Sequence, residues 1–584
     1  MRTYSGVERQ GEGLNSAVVC VTVLAMFAAG YWYYAGWLAS KVFCLDDTNP
    51  PPSSTLNDGV DFVPTNRHVL FGHHFSSIAG AAPIVGPAVA VIWGWVPAVL
   101  WIGFGVIFAG AVHDMGALVI SVRHGGRSIG DVTEAVIGPR SRLLFLLLIF
   151  FLTTMVLAVF AFVIGFLFVN FDGAVLPVTL EIPAAVLMGW WVSKRKGQLL
   201  WPSLLCLVGL YYLVWVGAEN AEWMDQQQLR WLGATSGDQI LTWCYLLLGY
   251  AFVASVLPVS LLLQPRDFIN SHQLLVGLTA LVIGLIIVHP PMSVPAFQAV
   301  APVEGGEGKP WFPLLFVTIA CGAVSGFHGL VSSGTTSKQL EKESDAKIIG
   351  YGAMLGEGTL ALLATLAVTA GFAMTDNWGD HFASWDSAAG LSAKIGAFVV
   401  GSSNFLSGVG IPAHVGEVVV AVLVISFAAT SLDTATRIQR FVVAEIGDVY
   451  GVSALKNRYV AGLVAVGSAL VLLLVASPKG PGSGGLVLWP LFGAGNQLLA
   501  GLTLLVLSVW LKRDGKPWLV TFIPAILLGL VTSIAMAMNV SSFIRDENWL
   551  LLSISGLVVF LEVWIVLEGV RAMRQQGSQD QVQS

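Results

Sequence analysis

Charge is what this chain has least of. Only 11% of its 584 residues are Asp, Glu, Lys or Arg, where an average soluble domain carries about a quarter. A water-soluble fold of this length would have too little polar surface. Basic residues are also the minority, 29 against 35 acidic, for a formal net charge of -6. That excludes the basic face that neutralises nucleic-acid phosphates, and no nucleic-acid partner is expected. The five cysteines, Cys20, Cys44, Cys206, Cys244 and Cys321, are too scattered for a zinc site or a disulfide framework. An H-E-x-x-H run is missing as well, so an intramembrane metalloenzyme built on His73, His74, His113 and Asp114 would lack the spacing that puts two ligands on one helix face. Neither a cofactor, a bound metal nor an enzymatic activity is called for. Finally, no polar, proline-rich or serine-rich linker interrupts the chain between Val69 and Val570, which favours one membrane domain over several soluble ones.

Apolar residues are what is present, 55% of the total. A helix needs about 20 of them to cross a bilayer, and scanning gives about fifteen spans: 15–43, 68–90, 95–122, 143–170, 175–193, 200–217, 240–263, 272–290, 311–334, 346–375, 415–434, 458–477, 485–511, 517–540 and 548–570. The first is too long for a signal-peptide core, and its Tyr31-Trp32-Tyr33-Tyr34 cluster suits a membrane interface. The expected class is an all-α polytopic membrane protein whose partner is the lipid bilayer. Lys and Arg gather on the cytoplasmic side of membranes. With the N-terminus outside and the C-terminus cytoplasmic, 22 of the 29 fall there, and Arg2, Arg9, Arg230, Lys309, Lys394, Lys479 and Arg545 fall outside. The longest external loop, 376–414, carries a segment, 388–405, that reads as a short interfacial or re-entrant helix.

Two spans are rich in glycine, proline and small polar residues. Span two holds Gly72-His73-His74-Phe75-Ser76-Ser77-Ile78-Ala79-Gly80-Ala81-Ala82-Pro83, and span seven holds Gly249 to Pro258. Proline deletes a helix hydrogen bond and glycine relaxes the backbone, so both are expected to break inside the membrane. They lie five spans apart and enter from opposite sides, as an inverted five-plus-five repeat requires. The expected divisions are 1–67, an N-terminal helix and loop; 68–217 and 240–434, the two repeats; and 435–584, additional helices and a tail. Substrate is expected between the breaks, at Ser76, Ser77, Gly80, Ala81, Phe252 and Ser255. Exposed carbonyls at Ala79 and Ala82 suit a cation.

Ionisable side chains inside a bilayer are costly and mark pathways or pairs. Asp114, beside His113, reads either as a proton carrier or as a carboxylate held by donors for packing. His74 reads as an interfacial histidine. The hydroxyls of Ser332, Ser333 and Thr335 either offer oxygen to a sodium ion or bond backward to helix carbonyls, with Lys338 a possible fixed charge in the ion's place. Asp433 and Arg437, four apart, read first as an ion pair at a helix end and otherwise as a gate.

The run Thr55-Leu56-Asn57-Asp58-Gly59-Val60-Asp61-Phe62-Val63-Pro64-Thr65-Asn66, followed by Gly72-His73-His74-Phe75, resembles the signature of the carbon starvation protein A family. Further matches are Gly126-Arg127-Ser128-Ile129-Gly130, Pro265-Arg266-Asp267, Ser333-Gly334-Thr335-Thr336-Ser337-Lys338-Gln339, Ser431-Leu432-Asp433-Thr434-Ala435-Thr436-Arg437 and Trp489 to Gln497. In that family's pattern a glutamine often stands where this chain has His113. The resemblance implies a bacterial inner-membrane symporter, induced when carbon is scarce, that imports peptides or pyruvate with protons. Sodium coupling is the alternative. It also implies a core like that of the amino acid, polyamine and organocation transporters (LeuT/APC-like), in agreement with the five-plus-five repeat.

Overall fold

The computed structural model describes residues 14–195, 199–220, 239–304, 307–375, 377–388, 390–475 and 484–583. Arg2, Arg9, Lys196, Arg230 and Lys479 lie outside the described residues. The chain is a multi-pass membrane protein made almost wholly of helices. Hydrocarbon offers backbone amides no partner, so long apolar runs close their hydrogen bonds internally.

Among the described residues, thirteen helices are long and apolar enough to cross a membrane, together with one bent pair. They are Ser16–Val42, Trp95–Arg123, Pro139–Asn170, Asp172–Val192, Leu200–Glu219, Gln239–Val256, Leu263–Val288, Glu343–Met374, Ala413–Val449, Arg458–Val475, Val487–Arg513, Leu519–Arg545 and Trp549–Arg574. The bent pair is Arg67–Ile78 with Ala82–Trp93, 46° apart. The remaining expected span, 311–334, is three short helices, Trp311–Thr318, Ala320–Ala323 and Gly326–Gly334.

Hydrogen bonds between distant segments fix which ends lie together. The Ser16 hydroxyl donates to the Pro290 carbonyl at 2.6 Å, joining the start of helix 16–42 to the end of helix 263–288. At the other end, Val63 N–H donates to Lys338 O at 3.2 Å and Thr65 N–H to Gln339 O at 3.0 Å. Arg123 and Arg437 share this second end, here termed the basic end. Helices 139–170 and 413–449 pack along each other at the centre, where the Gln439 amide donates to Thr154 Oγ1 at 2.9 Å.

The break in span two falls where the glycines and prolines suggest. Ala79 leaves the helix at φ -73°, ψ 60°, and Ala82 restarts it with Pro83 in the first turn. Span seven differs from expectation. Helix 239–256 is continuous, and Pro258 stands just past its end in a turn. The second break lies instead in 311–334, where Val324 is extended at φ -161°, ψ 124°. The two broken elements touch: a Cβ added to Gly86 would lie 2.1 Å from the Thr318 carbonyl oxygen. The segment read as 388–405 is the helix Leu391–Ser407, packed against helix 343–374 and helix 263–288.

Candidate functional site

Two buried polar clusters flank half-helix 67–78, and its adjacent histidines point one into each. On one side His73 Nδ1 bonds the Asp267 carboxylate, and Ser76, one turn on, donates to the Asp267 carbonyl at 3.0 Å. Next to Asp267, Arg266 bonds the Asp433 carboxylate and lies 3.7 Å from Glu181. Tyr250 accepts from Arg266 at 2.7 Å and donates to Asp433 at 2.8 Å. Asn270 donates to Thr430 Oγ1 at 3.0 Å. Five helices thus meet on one guanidinium and three carboxyls, every one of these charged side chains 3% exposed or less.

On the other side runs a chain of four groups. His113 Nδ1 is 2.7 Å from Asp114 Oδ1, His328 Nδ1 is 2.9 Å from Asp114 Oδ2, and His328 Nε2 is 2.8 Å from Glu357. His74 Nδ1 bonds Thr336 Oγ1 at 2.8 Å beside it. His74 is therefore fully buried, which corrects its interfacial reading. A single imidazole between two carboxylates needs a proton on both nitrogens to donate to both.

The break itself is tied to helix 413–449. Ser431 donates to the Ser77 carbonyl at 2.8 Å, and the Ser77 and Thr434 hydroxyls lie 2.9 Å apart. Ser76, Ser77, Ala79, Gly80, Ala81 and Ala82 thus sit together. Phe252 and Ser255 do not join them, because they pack against Gly462 of helix 458–475. Two of the span-nine hydroxyls bond backward to helix carbonyls. Ser333 donates back to Gly329 O at 2.7 Å and accepts from Ile129 N–H at 3.1 Å, and Thr335 donates back to Val331 O at 3.1 Å. Ser332 Oγ has no partner among the described residues. At the second break, Asn496 accepts from Phe327 N–H at 2.8 Å and donates to Ser325 Oγ at 2.9 Å. It caps helix 326–334 from a neighbouring helix.

Asp433 and Arg437 do not pair with each other. Asp433 turns to Arg266, and Arg437 faces the basic end, where it donates to Asp61 at 2.5 Å and to the carbonyls of Ala254 and Leu257 at 2.9 and 2.5 Å. Asp61 also takes both oxygens to Arg440, at 2.9 and 3.0 Å. Burial by itself would raise this carboxyl, but Arg437 and Arg440 outweigh it and hold Asp61 below its ordinary value.

Sequence reading missed Arg266 and Asp267 because helix 263–288 begins nine residues before the apolar run at 272, so its charges looked like loop. Their place in a Pro-Arg-Asp motif was the available signal. Asn496, within Trp489 to Gln497, was another.

The family description "Carbon starvation protein CstA" matches residues 15–378 and 373–535. Similar curated proteins include the peptide transporter CstA of Campylobacter jejuni, 33% identical over 90% of this chain and 80% of that one. Another is the pyruvate/proton symporter BtsT of Escherichia coli, 33% identical over 91% and 83%. Among solved structures are a manganese transporter from Eremococcus coleocola bound to an aromatic bis-isothiourea compound, 13% identical over 88% of this chain and 99% of that one at a TM-score of 0.42, and MhsT in complex with L-phenylalanine, 11% identical over 81% and 98% at 0.46. The curated relatives are transporters and not enzymes, and with the match running through most of its length the chain belongs to the carbon starvation protein CstA family.

Proposed function

We propose that this chain is a proton-coupled secondary transporter that imports pyruvate or a short peptide across the bacterial inner membrane by alternating access. The observation that carries the reading is the non-helical stretch 79–81, deep in the fold and flanked by buried ionisable clusters. Unwound backbone at membrane depth is tolerated where it lines a substrate path. The start of helix 82–93 turns amide dipoles toward a substrate carboxylate, and Ser76, Ser77, Gly80 and Ala81 supply the lining. Proton transfer is assigned to Asp114 within the His113–Asp114–His328–Glu357 chain. Sodium coupling is the alternative that the gradient experiment separates.

The repeat is best drawn between the two elements that break. Each is followed by one span and then by a long central helix: 67–93, 95–123 and 139–170 in the first, and 311–334, 343–374 and 413–449 in the second. This places the start of the second repeat at 311 instead of 240. The lysine and arginine count supports a cytoplasmic basic end, with the N-terminus outside. It also makes Asp61, Arg437 and Arg440 a cytoplasmic closure.

The deciding experiment is uptake of labelled pyruvate and of di- and tripeptides into proteoliposomes under imposed proton or sodium gradients. Accumulation driven by protons is expected. No accumulation of any of them under either gradient would overturn the proposal.

A further inference from the structure

The chain through Asp114 leaves the other cluster without a task, and its charges do not balance. Asp267, Asp433 and Glu181 surround Arg266, so three carboxyls share one guanidinium and cannot all be ionised without a further positive charge or a bound proton. Uncompensated charge at that depth is expensive. Among the described residues no cation on the opposite side is turned toward this cluster, and Lys347 lies over the Tyr31 ring at 4.7 Å. The groups there are His74, His113 and His328 with Asp114 and Glu357, while Lys338 donates to Gly334 O at 2.6 Å and lies over the Phe441 ring at the basic end. Nearer the basic end Arg67 pairs with Asp345, and His272 turns back to Phe268 O at 2.7 Å. Arg437 and Arg440 are held by Asp61. The group able to supply positive charge beside Asp267 is His73.

We propose that His73, held by Asp267, is a second proton carrier whose loading latches half-helix 67–78 to helix 263–288. This rests on the proton-symport reading and names a further site within it. The Nδ1 atom of His73 is committed to Asp267, and Nε2 has no partner among the described residues, so the transported proton has one place to go. Loading turns the bond to the Asp267 carboxylate, already charge-assisted, into a contact between opposite charges, which strengthens it further. The seam it closes is the seam the half-helix must leave. Ser76 bonds Asp267 O there, and a Cβ on Gly72 would come within 2.6 Å of Ser271 Oγ. Release of the proton weakens the strongest contact along that seam. Occupancy of His73 is thereby tied to the position of the helix whose end bounds the break.

The test compares proton-driven accumulation with substrate exchange in proteoliposomes for the wild type, His73→Gln and Asp267→Asn, with labelled pyruvate and labelled dialanine as probes. Both variants are expected to keep exchange, to lose accumulation against a gradient, and to lose the pH dependence of the exchange rate. Asp267→Glu, which keeps the carboxylate, should restore accumulation with a shifted pH profile. A neutral variant that still accumulates with an unchanged profile would overturn the proposal, as would a monodisperse variant that has lost exchange too. Should the neutral variants not fold, an unshifted profile for Asp267→Glu overturns it. Absence of proton-driven accumulation in the wild type would instead overturn the symport reading, and this site with it.

Discussion

Replacing Asp61 by Asn keeps the shape of the side chain and removes the charge that two arginines share. The carboxylate is 13% exposed, and its partners Arg437 and Arg440 are 1% and 6% exposed. Deleting one member of a buried ion pair costs roughly 3–5 kcal/mol, because the other charge stays buried. Two features place this case at the lower bound: the amide oxygen still accepts one hydrogen bond, and Arg437 retains the carbonyls of Ala254 and Leu257. The expected loss is about 3 kcal/mol, a factor of about 150 in the unfolding equilibrium. Thermal unfolding in detergent at neutral pH reads that loss, and a double-mutant cycle with Arg440→Gln isolates the pair. The sign with pH follows from the lowered value for Asp61. A depressed carboxyl contributes stability that is present above its unfolded value and is lost as pH falls through its folded value. The gap between wild type and Asp61→Asn should therefore be full at pH 7 and vanish below the ordinary carboxylate range. A coupling energy within about 0.5 kcal/mol of zero, or a gap that persists in acid, would refute the bridge.

Gly86→Ala puts a methyl 2.1 Å from the Thr318 carbonyl oxygen, so the broken elements must separate; a loss of about 1–3 kcal/mol should appear as a lower unfolding temperature, with uptake reduced alongside. Asp114→Asn should leave the protein folded while removing proton-driven accumulation, measured in proteoliposomes, since an amide holds the two histidines but carries no exchangeable charge. Asn496→Ala leaves Phe327 N–H and Ser325 without their partner and should cost about 1–3 kcal/mol in a thermal melt, through fraying of helix 326–334.

How much of this was legible in the sequence varied with where the cause lay. The break at 79–81 is local: Gly80, Pro83, Gly86 and Pro87 weaken the helix by themselves, so reading the residues was enough. The break before Gly326 is not. The run Ile319 to Ser325 has one glycine and no proline, and the extended backbone at Val324 is held by Asn496, 172 residues beyond it in the chain. Pro258 shows the converse, a strong local breaker that ends a helix and interrupts nothing.

The charges follow the same division. Sequence spacing proposes partners within one helix, and Asp433 with Arg437 satisfies the i, i+4 rule. That rule describes water-exposed helix faces, where two side chains have little else to meet. Helix 413–449 is enclosed from Gly416 to beyond Arg437, and an enclosed charge is neutralised by the nearest opposite charge in space. For Asp433 that is Arg266, and for Arg437 it is Asp61. The same reasoning explains the two histidines. Neighbours on a helix point about 100° apart, too far to serve one ligand and far enough to serve two separate clusters. In sequence, His74 reads as an interfacial histidine. Inside the bundle one ring turns to Asp267 and the other to Thr336, which ties a single half-helix to a buried polar cluster on each side.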